Sequence, residues 1–235
     1  MRRHLPWMVG LFGFVLLLAL LDVGETAAQK KSRQTSRRRF SPWRVVFDGK
    51  TVEGMPSPNV SFTGVGPILK DPFHIHEYRP DGDWSLSDGL LVPTGKNGLL
   101  GLGTAEEFEL EGYLSAEGLG GWLLVLGWQP EEQEGFVVYN VTLRESGSPW
   151  HLDHVRKGKV TLEDHREVTR FEWKGARRLR VAVIAERLSL AVDEQVLYEA
   201  VELPEYRAGI VALGTYDTRY GPKPLRIASL RIRER

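Results

Sequence analysis

The 235-residue sequence predicts an all-β protein, an antiparallel β-sandwich or jelly roll. Three observations predict it. From Trp43 onward, short apolar runs are separated by Gly, Pro and Asp. Within those runs apolar and polar residues alternate, which is the period of a half-buried strand and not of a helix. Turn residues recur at close spacing, as many short strands packed in two layers require.

The elements follow in order. Alternation predicts strands at Phe108 to Leu114, Phe136 to Leu143, Leu179 to Ala185, Leu188 to Val192 and Leu225 to Ile232. Their β-branched and aromatic content agrees. Ala185-Glu186-Arg187 joins two of them into a hairpin, and Asp193-Glu194-Gln195 turns into Val196-Leu197-Tyr198. A single helical turn is expected near Thr104 to Glu107. No internal repeat is present.

The run Gly121 to Trp128, GWLLVLGW, is too short to span a membrane. As a strand it places Trp122, Leu124, Leu126 and Trp128 on one side, with Leu123 and Val125 on the other. A strand apolar on both faces lies inside a packed sandwich or lines a groove. Aromatic rings lining a groove suit flat apolar faces such as those of sugars. Of the two rings, Trp122 reads better as core. Trp128, at the strand's exit, is the better candidate for a ligand contact.

The beginning of the chain has a different texture. Arg2, Arg3 and His4 precede an apolar run from Leu5 to Leu21, and a small-residue segment ends at Ala28. This order predicts a secretory signal peptide over residues 1–28, with an uncleaved membrane anchor as the alternative. The expected location is therefore the periplasm or the cell exterior. Lys30 to Arg39 carries six basic residues and no acidic one, so residues 29–42 read as a disordered basic linker. Such a linker suits weak contact with anionic lipid or cell-wall polymer.

From Phe40 onward the chain has 23 basic and 29 acidic residues, a net charge of about −6, which argues against nucleic acid as a partner. With no cysteine there are no disulfides, no thiolate zinc sites and no lipid-attached cysteine. The roughly 190 residues after the linker must then be held by their own core, for which they suffice.

Three segments together resemble the 3-keto-disaccharide hydrolase domain family, a concanavalin A-like (laminin G-like) jelly roll of exported bacterial proteins. The first is Val46-Phe47-Asp48-Gly49-Lys50-Thr51-Val52-Glu53-Gly54, similar to the family's opening. The second is Asp83-Trp84-Ser85-Leu86-Ser87-Asp88-Gly89-Leu90-Leu91-Val92, followed by Gly98 to Gly103 and Glu107-Phe108-Glu109-Leu110. The third pairs Ala208 to Gly214 with Leu225 to Ile232. The resemblance spans residues 43–235 and implies one jelly-roll domain, carbohydrate as partner and glycosidic cleavage of a modified sugar.

The sequence departs from that family where the family is polar. Gly112-Tyr113-Leu114-Ser115 stands where an acidic and a basic residue usually follow, and Gly120 to Val125 replaces a polar segment. Val138 to Leu143 replaces an acidic strand. Catalytic residues are accordingly not carried over, since fold transfers more safely than chemistry.

Four constellations are candidates for chemistry. His74-Ile75-His76 puts two imidazoles on one face if the segment is a strand, a spacing found in metal sites, with His151 or His154 as a third ligand only by default. Otherwise no metal is expected. Trp150-His151-Leu152-Asp153-His154 gathers a ring, two imidazoles and a carboxylate. Neighbouring strand residues point opposite ways, which argues against a direct His–Asp pair. Glu131, Glu132 and Glu134 form an acidic loop bounded by Pro130 and Gly135, best read as a solvated hairpin tip and not as a glycosidase carboxylate pair. Tyr216-Asp217-Thr218-Arg219-Tyr220 mixes phenols with an acid and a base, the groups sugar sites use. No cofactor is expected, because the chain lacks a phosphate loop, a nucleophile elbow and a dinucleotide fingerprint.

Three functions follow. The rings Trp122, Trp128 and Trp150, with Tyr216, Asp217 and Arg219, suit a sugar-binding module. His151, Asp153 and His154 suit an active glycoside hydrolase. A structural cell-envelope module without a small ligand is the third. The missing polar positions favour binding.

Overall fold

The computed structural model describes residues 39–70, 74–116, 119–140, 148–161, 165–171, 173, 175–219 and 225–235. The expected leader and most of the basic linker lie outside them. Phe40–Arg235 constitute one compact unit.

Among the described residues the chain forms strands and one 3-10 turn. The first half contains β1 (Arg44–Phe47), β2 (Phe62–Gly64), the 3-10 turn (Gly66–Lys70), β3 (Glu77–Tyr78), β4 (Trp84–Ser87) and β5 (Leu90–Pro93). It continues with β6 (Leu99–Ala105), β7 (Phe108–Ala116), β8 (Leu119–Gln129) and β9 (Glu134–Asn140). The second half holds β10 (Ser148–Val155), β11 (Lys159–Val160), β12 (His165–Phe171) and β13 (Gly175–Ile184). It ends with β14 (Arg187–Val192), β15 (Gln195–Glu202), β16 (Gly209–Arg219) and β17 (Arg226–Glu234).

These strands build three sheets. The large sheet runs β15-β14-β13-β7-β17-β5-β4, with β1 also pairing β17. The second has six strands in the order β12-β10-β9-β8-β16-β6, and a small sheet runs β11-β2-β3. Pairing is antiparallel except between β11 and β2.

Alternation works as the sequence predicts on β7. Phe108, Leu110 and Leu114 are buried, while Glu109, Glu111 and Ser115 are partly exposed and Tyr113 is exposed. The inward residues join Leu179, Val181, Leu188, Leu190, Leu230 and Ile232, and meet Trp122, Leu124, Leu126 and Trp150 from the six-stranded sheet. This is the core between the two sheets. The other face of the six-stranded sheet is apolar as well. Leu123, Val125, Val137 and Ala212 pack there against Val60, Phe62, Ile68, Ile75 and Tyr78. The small sheet and the 3-10 turn cover that second face, so the six-stranded sheet is the middle layer.

The turns obey local chemistry. Asp88-Gly89 joins β4 to β5 with φ of 53° and 72°, the left-handed pair a tight hairpin needs. Ala185 and Glu186 take the same conformation (φ 49° and 58°) between paired Ile184 and Arg187. The helical turn expected at Thr104 to Glu107 is instead the end of β6 and a bend into β7. Strand pairing of Ala105 with Gly209 overrides the local pattern.

The segment just before β1 is bonded to the sandwich. The Ser41 amide donates to the Glu234 carbonyl at 2.7 Å, and the Glu234 amide donates to the Ser41 hydroxyl at 3.0 Å. The residues just before the first strand are thus fastened to the last one.

Candidate functional site

All three tryptophans expected to form a sugar platform lie in the interior. Trp122 and Trp150 have no exposed surface, and Trp128 is 1 % exposed. Trp122 and Trp150 both pack on Trp173, with ring centroids 6.1 and 6.0 Å apart. Trp128 does not share a side with Trp122. Gly127 adopts φ 63°, and the β8–β9 register shifts between Leu126 and Gln129. This bulge turns Trp128 to the outer face, beside Val60 and Phe62, where its indole N–H donates to the Asn59 carbonyl at 3.0 Å. The rings face protein on every side.

On β10 the pleat sorts the candidate residues onto two faces. Trp150 and Leu152 belong to the inter-sheet core, and His154 stacks on Phe136 there at 4.2 Å. His151 and Asp153, two residues apart, share the other face. Both are fully buried. Asp153 accepts a 2.6 Å hydrogen bond from the Tyr139 hydroxyl, and Tyr139 stands directly opposite His151 on β9. The Tyr139 and His151 rings stack at 5.1 Å. Burial, followed by the charge of Asp153, pushes the Tyr139 phenol well above its ordinary range. The cluster is sealed from solvent, so its polar groups tie the middle sheet to its cover.

His74 contributes to this cluster from the covering segment. It is buried, and its ring lies 4.5 Å from that of His151. The expected pairing of His74 with His76 on one strand face does not form. The segment is irregular there, β3 starting only at Glu77, and His76 is partly exposed. Among the described residues, donor atoms suited to a metal ion converge elsewhere, at Glu134, His154 and Glu205, all within 4.8 Å of one another. Two guanidiniums already balance this group. Arg156 bonds Glu205 at 2.9 Å, and Arg207 lies 3.8 Å from Glu134. Arg207 also holds Glu132, and that hydrogen bond keeps the Glu132 carboxyl below its usual range. The acidic loop is therefore a hairpin tip laced with ion pairs, and Glu134 is the first residue of β9.

Tyr216, Asp217 and Arg219 fall at the end of β16. Tyr216 is partly buried with its ring 6.3 Å from Tyr78. Asp217 takes φ 49° and its amide donates to Asn97 Oδ1 at 2.9 Å. The Asn97 amide in turn donates to Asp81 Oδ1 at 2.8 Å. The loop is thus built on a polar turn 120 positions earlier in the chain. The Arg219 side chain and Tyr220 lie outside the described residues, and with them the expected Asp–Arg contact.

The outer face of the large sheet carries an arrangement absent from the candidates above. Glu107, Glu109 and Glu111 alternate along β7 and its approach, and face Arg235, Arg233 and Arg231 on the last strand and its end. Arg231 bonds Glu111 at 2.8 Å, and Arg178 bonds the same carboxylate at 2.6 Å. Burial raises the Glu111 pKa, but hydrogen bonds and charge from these two guanidiniums outweigh it, leaving the carboxyl below its usual range.

Aromatic rings cap this charged ladder. Arg231 and Arg233 lie 4.5 and 4.6 Å from the Trp43 ring centre, and Arg233 lies 4.7 Å from that of Phe40. Beside Trp43 opens a cavity of about 430 Å³ lined by Glu109, Glu111, Arg180, Ser189 and Glu199. The signal was present as Glu-x-Glu-x-Glu and Arg-x-Arg-x-Arg at strand spacing. Only the pairing of residues 120 positions apart makes it one surface.

The fold is shared with proteins of known structure. A mutant of the Emp46p carbohydrate recognition domain is 14 % identical, with a TM-score of 0.52 over 82 % of this chain and 98 % of that one. A LamA variant from Z. galactanivorans, in complex with laminaritriose and laminaritetraose, is also 14 % identical. Its TM-score is 0.50 over 84 % of this chain and 99 % of that one. No protein-family model and no curated protein matches the sequence. At this identity the likeness is one of fold: the chain is an antiparallel jelly-roll β-sandwich.

Proposed function

We propose that this chain is an exported, carbohydrate-associated β-sandwich whose task is to bind a sugar, and that its motifs mark it as a relative of the 3-keto-disaccharide hydrolase domains. One observation carries the sugar-binding reading. The Trp43 cavity sets an aromatic ring beside carboxylates, a guanidinium and a hydroxyl in a recess of about 430 Å³, a size suited to a small ligand. An indole takes the apolar face of a pyranose, and the charged groups take its hydroxyls. The two neighbours in fold, one called a carbohydrate recognition domain and one bound to laminari-oligosaccharides, support the same reading.

The basic, apolar and small-residue order of residues 1–28 supports export. The basic segment supports weak contact with an anionic lipid or wall polymer.

A hydrolase reading has one observation in its favour: Glu109 and Glu111 both reach the cavity. Each is held by arginine, however, and the Glu111 carboxyl is shifted down. A general acid needs the opposite shift. The chemistry present is that of hydrogen bonding to a sugar.

Glycan-array screening followed by calorimetry on the purified protein tests the proposal, with 3-keto-glycosides included and hydrolysis products assayed. Binding by the wild type, lost in a folded Trp43→Ala variant and without turnover, is the expected result. A folded protein that binds no glycan overturns it. Turnover abolished by Glu109→Gln or Glu111→Gln would establish the hydrolase instead.

A further inference from the structure

A second recess lies on the far side of the molecule, over the small sheet. It has a volume of about 430 Å³, and its lining includes Asn59, Thr63, Glu77, Arg79, Lys157 and Lys159. Three cations face one carboxylate there, in a folded region that is otherwise net acidic.

The ion pairing around the recess is asymmetric. Arg156, next in sequence to Lys157, bonds Glu205 at 2.9 Å. Neither lysine nor Arg79 has a side-chain ion pair or hydrogen bond among the described residues. Among the described residues, the three cations of this recess thus outnumber its one carboxylate, Glu77, and none of them is paired.

The backbone fixes the turn from which the two lysines extend. Lys157 and Gly158 form a tight turn with φ of 51° and 70°, closed by reciprocal bonds between Arg156 and Lys159 at 2.9 and 3.0 Å. The turn is anchored on both sides. The Gly158 amide donates to the Gln133 carbonyl at 2.7 Å, and the Thr63 amide donates to the Gly158 carbonyl at 2.9 Å. Lys159 stands opposite Thr63, which stands opposite Glu77, so a cation, a hydroxyl and a carboxylate form one row across three strands.

We propose that this recess binds the acidic unit of an oligosaccharide, a uronate-type residue, with Arg79, Lys157 and Lys159 on its carboxylate and Asn59, Thr63 and Glu77 on its hydroxyls. The cations select the anion, and the amide, hydroxyl and carboxylate groups, which between them donate and accept, select a polyhydroxylated ring. That the anion belongs to a saccharide rests on the sugar-binding reading above. That the ligand is anionic rests on the recess alone.

Calorimetry with the purified chain tests this, using a galacturonate oligomer, the matching neutral galactose oligomer and inorganic phosphate as probes. The galacturonate oligomer should bind and the neutral one should bind far less. Binding should weaken with added salt and fall about tenfold for each of Lys157→Gln and Lys159→Gln, as for loss of one charge-assisted hydrogen bond. Trp43→Ala should leave it unchanged, which separates this site from the cavity on the large sheet. No galacturonate binding, or binding unaffected by the lysine variants, overturns the proposal. So does phosphate binding of equal strength and equal lysine dependence, which would mark a general anion site. If Trp43→Ala loses every neutral glycan while galacturonate binding persists, the two sites are independent and the proposal stands.

Discussion

Trp122 and Trp128 belong to one strand and lie on opposite faces of the middle sheet. Gly127 makes this so. Its left-handed backbone inserts a bulge, and its missing side chain leaves room for the strand's neighbours. A Cβ there would stand 2.6 Å from the Arg207 carbonyl and 2.7 Å from the Tyr206 ring. Gly127→Ala should therefore destabilise the fold by about 2 kcal/mol or more, from backbone strain and overlap together. Thermal melting with tryptophan fluorescence measures this. An unchanged melting temperature would mean the strand accommodates a regular register.

The Tyr139–Asp153 contact makes a separate prediction. Both groups are buried, so Tyr139→Phe leaves a buried carboxylate short of a donor and should cost about 1–3 kcal/mol. Urea titration of the variant measures it. The pH dependence has a definite sign. The phenol's pKa is raised in the folded state, so its contribution is complete below the unfolded value of about 10 and declines as pH rises beyond it. The wild type should lose stability above that pH more steeply than Tyr139→Phe.

Glu111 acts at the other end of the pH scale. Its carboxyl is depressed in the folded state, so the stability it contributes is present above the unfolded value and is lost as pH falls through the folded one. Glu111→Gln should flatten the decline in stability below about pH 4.5, the ordinary glutamate range. Denaturant midpoints across an acid series test this, and parallel curves for both proteins would contradict it.

The β13–β14 hairpin holds a strain that can be relieved. Glu186 sits at φ 58° without being glycine. Glu186→Gly at this turn position should stabilise the protein by about 0.5–1 kcal/mol, the cost of a side chain in the left-handed region net of the entropy glycine adds to the unfolded chain. The backbone bond from the Leu203 amide to the Glu186 carbonyl survives the change. A lower denaturation midpoint would refute it.

Strand period and turn chemistry are local, and they are legible in the residues themselves. The alternation of Phe108, Leu110 and Leu114, and the Asp88-Gly89 turn, predict a β-sandwich because side chains on a strand alternate whatever the strand pairs with. The apolar character of both faces of Leu123 to Leu126 likewise marks a sheet covered on both sides. Which groups meet is a different matter. His151 and Asp153 share a face with Tyr139 only because β9 and β10 pair in one register. Glu111 meets Arg231, and Trp43 caps that pair, only because β7 lies beside the last strand. Even the side on which Trp128 falls depends on a bulge at a glycine that strand period alone does not reveal. These contacts join residues far apart in the chain, so packing and register decide them, and with them the place of every candidate site.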